Sequence, residues 1–380
     1  MRDVLIVGGG PVGLLLATLL AQAGLDVVLW ERRAAPVAHS RAIGIHAPAL
    51  DALENAGVGA AVAAEAVQVR RGLAVSRGRV LGEVPFAHVH PRHPYVATLP
   101  QVRTEALLAA RLEDLAPGVV ERDVELQALA DVGGGVRAVG QRASGGAVTE
   151  SARFVVGADG ARSAVRRLLG VGVVGRDYRD TYVMGDFADT TGSGSDAVVY
   201  LAPDGVVESF PLPGSQRRVV VRTSGMVQAP SAAHLAEVVA HRTGLELDPA
   251  TSTMTSAFTV RRRLASAMVR GRCVLVGDAA HEISPIGGQG MNLGWLDVAA
   301  LAPLLVAGCS GCGPDDAALA RFERTGMASA RRAATQAEVN MSLGRPATGA
   351  HLAVRDAALR AALRSPLRRQ LASVYAMRGL

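Results

Sequence analysis

The chain has 380 residues, 49% hydrophobic and 19% charged, a balance that excludes a disordered protein and leaves room for two or three domains. All 40 basic residues are arginine, and the net charge is +6. Those arginines are spread along the chain. Doublets such as Arg70-Arg71, Arg166-Arg167 and Arg368-Arg369 read as solvated surface, which excludes a nucleic-acid binder with its basic face or tail.

Met1-Arg2-Asp3 runs directly into an apolar strand at 2–7, so no targeting segment is expected at the start. No run of ~20 apolar residues is free of a charge or a Gly/Pro break, so no membrane span is expected. A helix at 11–24 and a second strand at 26–31 open a βαβ unit. Pro48 to Asn55 predicts a helix ended by Gly57. Segments 67–75 and 79–84 predict a hairpin about Arg77-Gly78, and Val102 to Leu115 a helix. Strands follow at 123–130, 134–140 and 147–156. From 172 to 223 the pattern changes to strands at 197–201, 205–210 and 217–222 between Gly, Pro and Asp turns. A helix at 231–243 follows, which predicts an antiparallel sheet with a covering helix. A long strand near 255–265 and a short buried one at 273–277 lead into helices at 290–308, 315–343 and 350–376, the last divided at Ser365-Pro366.

The 3 cysteines make no disulfide framework. Cys273 lies in an apolar run, and Cys309-Ser310-Gly311-Cys312 has neither a second pair nor a nearby His, so it reads as a turn. A cytoplasmic protein without a metal site is expected; His281 has no metal-ligand partners spaced around it and reads as structural.

Three motifs carry chemistry. Gly8-Gly9-Gly10-Pro11-Val12-Gly13 follows a strand and opens a helix, with glycines at 8, 10 and 13 and Glu31 at the end of the next strand. Glycines there let the backbone approach a pyrophosphate, the helix N-terminus faces its charge, and Glu31 is placed to accept the ribose hydroxyls of an adenosine. By this motif alone the ligand is NAD or FAD. Gly157-Ala158-Asp159-Gly160 follows strand 147–156. Gly277-Asp278-Ala279-Ala280-His281 follows strand 273–276 and continues as Ser284-Pro285-Ile286-Gly287-Gly288-Gln289-Gly290-Met291-Asn292.

In this order the three motifs resemble the p-hydroxybenzoate hydroxylase-like class A flavoprotein monooxygenases, over nearly the whole chain. Ser40-Arg41-Ala42-Ile43-Gly44-Ile45-His46 is similar to the branch that hydroxylates aromatic polyketides. The resemblance implies an α/β fold: a Rossmann-type FAD-binding domain of the glutathione reductase-like kind, an inserted antiparallel substrate sheet, and a helical C-terminus. The expected division is 1–70, 96–171 and 265–343 for FAD, 71–95 and 172–264 for substrate, and 344–380 for terminal helices. The thioredoxin-like domain often found in that branch is not expected here.

The resemblance also implies residue roles. Gly8, Gly10, Pro11, Val12, Gly13, Glu31 and Arg32 would hold the adenosine and pyrophosphate. Arg41 and Gln101 would contact phosphates and ribitol, and Asp278 the ribitol hydroxyls. Asp159 would lie between the flavin and the nicotinamide approach. Pro285 and Gly287 would sit by the reacting ring, with Gly288, Gly290, Met291 and Asn292 around its pyrimidine end, where a helix N-terminus favours negative charge. NADPH or NADH would dock transiently, since only one dinucleotide fingerprint exists, and O2 would react through a flavin C4a-hydroperoxide. The expected substrate is an aromatic or polyketide-type small molecule. Tyr182, Met184, Tyr200 and Phe210 are candidate pocket residues; alternation puts Tyr182 and Met184 on one face without saying which face is the pocket. No catalytic base is assigned. Epoxidation, Baeyer-Villiger oxidation, reduction or a redox-inert cyclase are alternatives on the same fold; a halogenase is excluded because it needs a lysine. A monomer or homodimer is expected.

Overall fold

The computed structural model describes residues 1–36, 42–312 and 315–378. Two eight-stranded sheets and one three-stranded sheet organise it. The first sheet is laid down by the βαβ opening. Arg2–Val7 pairs in parallel with Val27–Glu31 on one side and with Ala147–Gly157 on the other; Cys273–Leu275 and Val120–Arg122 extend the parallel set. The central strands are apolar where they are covered: residues 4–7 and all of Val27–Glu31 are buried. The hairpin Val124–Asp131 and Val136–Arg142 adds to the same sheet through Ala147–Gly157.

The second sheet runs in the order His281–Glu282, Met254–Ala265, Val173–Ala188, Gln216–Thr223, Gly205–Leu212, Ala197–Ala202, Arg71–Ser76, Arg79–Pro85. It is antiparallel except where Ala197–Ala202 meets Arg71–Ser76. The helix Ala232–Thr243 covers one face, capped by Ser231, whose hydroxyl accepts from His234 N, and ended by Gly244 at φ 75°. Beneath that helix Val183, Phe187, Val207, Val219 and Val221 pack against Leu235 and Val239.

The expected hairpin at 67–84 divides in two. Val67–Val69 leaves it to pair with Val96–Thr98 in the small third sheet, and only Arg71–Ser76 and Arg79–Pro85 form the hairpin. Val69 joins a separate apolar cluster with Phe86, Val89 and Ala372, which draws the strand out of line at Arg70.

The helix Gln289–Ala307 runs through the core of the first domain. Its Gly294 lets Val12 come so close that a Cβ there would lie 2.6 Å from Val12 Cγ2, and Trp295 Nε1 donates to Pro11 O at 3.0 Å. The segment Gln289–Gly311 is apolar and long enough to cross a membrane by length and composition. In this fold it is a core helix, with Asp297 buried at its centre. The rest of the chain is helical: Asp316–Leu343, Gly349–Arg364 and Leu367–Tyr375. Arg79–Pro85 packs on the last two of these helices.

Candidate functional site

One cavity of about 1440 Å³ joins the glycine turn, Asp278, the turn 285–291, one face of the second sheet and the terminal helices. That exceeds the ~300–1,000 Å³ of most single-ligand pockets, so it has room for a dinucleotide and a second molecule.

At the first end, the three fingerprint glycines have different reasons. A Cβ on Gly8, at φ +113°, would lie 2.4 Å from Ala158 O, and one on Gly13 would lie 1.9 Å from Gly8 O. Those two permit strand and helix to touch. A Cβ on Gly10 would meet nothing within 4 Å, so Gly10 presents bare backbone to the cavity at the N-cap of helix Pro11–Gln22. Beside it Glu31 is buried, its Oε2 accepting from Gly9 N at 2.7 Å and its Oε1 from Arg33 N and Nε at 2.9 and 2.8 Å. Burial pushes the Glu31 carboxyl up, but these bonds outweigh it and hold it below the usual range. Arg32 and Gln101 line the same end. Arg41 lies outside the described residues.

Asp159 caps the helix Ala164–Leu168: its Oδ2 accepts from Ala164 N and Val165 N at 2.6 and 3.1 Å. Its Oδ1 is buried at the cavity wall without a partner. Asp278 turns its side chain from the turn Gly277–Ala279 into the open cavity, where it is exposed. Desolvation by the cavity walls pushes it up to about 6, opposed by His281 and aided by Glu282. His281 itself is fully buried outside the cavity, its Nε2 2.5 Å from Asp297 Oδ2, which also accepts from Gly277 N at 3.1 Å. Burial lowers the His281 pKa, and Asp297 more than reverses this, leaving it raised. His281 therefore holds the Asp278 turn to the core helix.

Pro285, Gly287, Gly288, Gly290 and Met291 line the cavity, and Asn292 does not. Its amide is fully engaged in tying the turn to the strand Gly44–Ile45: Oδ1 accepts from His46 N at 2.8 Å, and Nδ2 donates to Gly44 O and Gly288 O at 2.9 and 2.7 Å. His46, not singled out by sequence reasoning, lines the cavity beside that turn. Burial pulls it down to about 4, against the Gly287 and Gly288 backbone, and neither ring nitrogen makes a well-formed hydrogen bond.

Across the second sheet, paired residues Met184, Val220, Glu208, Val199 and Ala74 form one row facing the cavity. Phe210 lines it from the next row. Two pocket candidates are corrected. Tyr200 follows Val199, so it points to the opposite face and packs in the cluster under helix Ala232–Thr243. Tyr182 shares the Met184 face but is fully buried behind the wall, stacked on Phe258 at 5.5 Å. Glu208 was missed. Burial alone pushes it up to about 7. Leu359, Leu363, Leu371, Val374 and Tyr375 close the cavity from the terminal helices. Tyr375 Oη donates to Asn340 Oδ1 at 2.9 Å.

These residues fit FAD. The backbone is bare at Gly10, the buried Asp159 Oδ1 and His46 nitrogens lack partners, and an acid opens into the cavity where hydroxyls would need an acceptor. Among the described residues, Asp51, His90 and His93 have metal-ligand spacing. Arg92, however, pairs with both Asp51 and Glu54, so a guanidinium already neutralises those carboxylates. The Cys309 thiol is pushed up to about 11, chiefly by burial, so little of it is thiolate near neutral pH.

Comparison with known proteins gives the same picture. A family model described as an FAD binding domain matches residues 1–337. A 6-methylpretetramide 4-monooxygenase of Streptomyces rimosus is 36% identical over 316 residues, covering 79% of this chain; the chain spans only 55% of that enzyme. A dialkyldecalin synthase of Streptomyces rugosporus is 29% identical over 368 residues, covering 90% of this chain and 74% of that protein. The crystal structure of a p-nitrophenol 4-monooxygenase from Pseudomonas putida superposes with a TM-score of 0.90, covering 99% of this chain and 98% of that one; at 24% identity it speaks for the fold alone.

Proposed function

Because the chain belongs to the family of FAD-binding domains, we propose that it is a flavoprotein monooxygenase. In this reading it holds FAD, takes electrons from NADPH or NADH, and adds one oxygen atom of O2 to an aromatic or polyketide-type substrate. The observation that carries this reading is the single cavity, which joins the glycine turn and Asp278 to the apolar sheet face bearing Met184 and Phe210. Bound FAD would supply a ring that accepts hydride and activates oxygen.

The chain's residues do the rest. Glu31 accepts the ribose hydroxyls, while the Gly8–Gly13 turn, Arg32, Arg41 and Gln101 hold the pyrophosphate and ribitol side. Asp278 accepts from the ribitol, and Pro285, Gly287, Gly288, Gly290 and Met291 frame the reacting ring. Asn292 and His281 position that frame. The terminal helices exclude water. Residues 1–70, 96–171 and 265–343 form the flavin part, 71–95 and 172–264 the substrate part, and 344–380 its lid of helices.

Purified protein is expected to release FAD, not FMN or NAD, on acid treatment and chromatography. Glu31→Lys and Asp278→Ala should each lower flavin occupancy; unchanged occupancy in both would show that the cradle is elsewhere. Stopped-flow absorbance of the holoenzyme should show flavin reduction by NADPH speeding up when a phenolic substrate is present. Equal rates with and without it would point to another flavoenzyme class.

The match to a dialkyldecalin synthase favours one second reading, a redox-neutral ring closure with FAD as a structural part. Enzyme reconstituted with 5-deazaFAD separates them: product formed without NADPH loss supports the cyclase.

A further inference from the structure

Glu208 is an acid without a counter-charge on the cavity wall. It stands in the middle of the row Met184, Val220, Glu208, Val199, Ala74, so its row neighbours are apolar. The rows on either side of it on that face each carry an arginine, and each arginine already has an aspartate. Arg218 Nε and Nη2 donate to Asp186 Oδ1 and Oδ2 at 2.6 and 2.7 Å. Arg222 Nε donates to Asp180 Oδ1 at 3.0 Å, and Arg345 Nη2 reaches Asp180 Oδ2 at 2.8 Å. Two tyrosines sense the Glu208 charge, and each has its pKa raised chiefly by burial and further by Glu208. Tyr375 donates to Asn340, and the Tyr182 hydroxyl is buried without a partner. Among the described residues, no side chain or backbone group hydrogen-bonds the Glu208 carboxylate.

We propose that Glu208 selects the substrate: its carboxylate accepts a hydrogen bond from a hydroxyl carried on an otherwise apolar aromatic body. The proposal rests on the reading above only in taking this part of the cavity as the substrate's place. Glu208 is half-buried on the cavity wall, and an apolar body that fills the cavity strips water from its carboxylate unless that body supplies a donor. Local rules broken without compensation inside the fold mark sites completed from outside it. The incoming partner must be a donor. A neutral hydroxyl fits better than an ammonium, because an ammonium would have to shed far more water to enter a wall of Met, Val and Ala.

The test uses the FAD-loaded protein and three probes of similar body: 2-naphthol, 2-methoxynaphthalene and the cation 2-naphthylmethylamine. Affinities are read by flavin fluorescence near pH 8 and near pH 6. The naphthol should bind at least about tenfold more tightly than the ether at the higher pH, the range of a charge-assisted hydrogen bond. That advantage should shrink at the lower pH, where Glu208 carries a proton. Glu208→Leu should abolish the preference, and Glu208→Gln should weaken it and remove its pH dependence. FAD content should stay unchanged in both.

A second readout separates selection from a structural role. Both variants should unfold at higher urea than the parent near pH 8, because they remove an unpaired, half-buried charge, and this gain should vanish below about pH 4.5. Equal binding of naphthol and ether, no binding of either, tighter binding of the amine, a preference that survives Glu208→Leu, or a destabilised variant would each overturn the proposal. NADPH-dependent oxygen consumption reads the monooxygenase assignment separately, so the two can fail independently.

Discussion

Gly13→Ala is expected to unfold about 3 kcal/mol more easily than the parent and to purify without flavin, whereas Gly10→Ala should fold normally and lose flavin affinity at least about tenfold. The two glycines sit three residues apart in one turn, yet only one faces a wall. A Cβ at Gly13 would lie 1.9 Å from Gly8 O, a backbone atom that can move only if the helix Pro11–Gln22 lifts off the sheet. A Cβ at Gly10 meets nothing within 4 Å, and its φ of −82° suits alanine, so the fold tolerates it. The added methyl instead stands where a pyrophosphate would approach the helix N-terminus. Urea midpoints and flavin absorbance after gel filtration measure both effects. A Gly13→Ala protein with the parent's midpoint would mean that helix and strand are not in contact as described. Full flavin affinity in Gly10→Ala would place the pyrophosphate elsewhere.

The second large effect is expected at Asp297. Asp297→Leu should cost about 3–5 kcal/mol, because it strands the buried His281 imidazole and the Gly277 N–H together. The pair also gives stability a pH dependence with a definite sign. Asp297 holds the folded His281 pKa above its unfolded value near 6.5. Its contribution is therefore complete below about pH 6.5 and is lost as pH rises through the raised value. Asp297→Asn keeps the shape and should remove that slope. Unfolding curves at several pH values check it, and a slope that persists in the variant would assign it to other groups.

The site was legible in the sequence where the backbone is under constraint. Gly8 and Gly13 are required by close approach of strand and helix, Gly10 leaves the backbone bare, and the Gly277-Asp278 turn follows a buried strand, so both motifs could be read from residue type and spacing. The second sheet was less legible. One face packs under helix Ala232–Thr243 and the other lines the cavity, so apolar residues fall on both sides and alternation carries no sign. That is why Tyr200 could be taken for a wall residue when Val199 is one. Glu208 escaped for a related reason: a single acid in a strand reads as solvent-facing. Its neighbours two positions away, Val206 and Phe210, gave a signal that its face is apolar. Asn292 shows a different limit. Its motif marks where it lies but not whether its amide turns toward a ligand or toward His46, Gly44 and Gly288.

The cradle is made of residues 8–13 and 278–291, far apart in sequence and joined in one parallel sheet through Ala147–Gly157. A nascent chain emerging at roughly 5–20 residues per second can settle its first βαβ unit early. It cannot close a cofactor pocket until residues 278–291 have left the ribosome. Until then the strand Ala147–Gly157 has an unpaired edge where Cys273–Leu275 will later bind, a stretch of Phe154, Val155 and Val156 open to other chains. That edge stays open from the emergence of Ala147–Gly157 to that of Cys273–Leu275, and slow translation between the two would lengthen the interval.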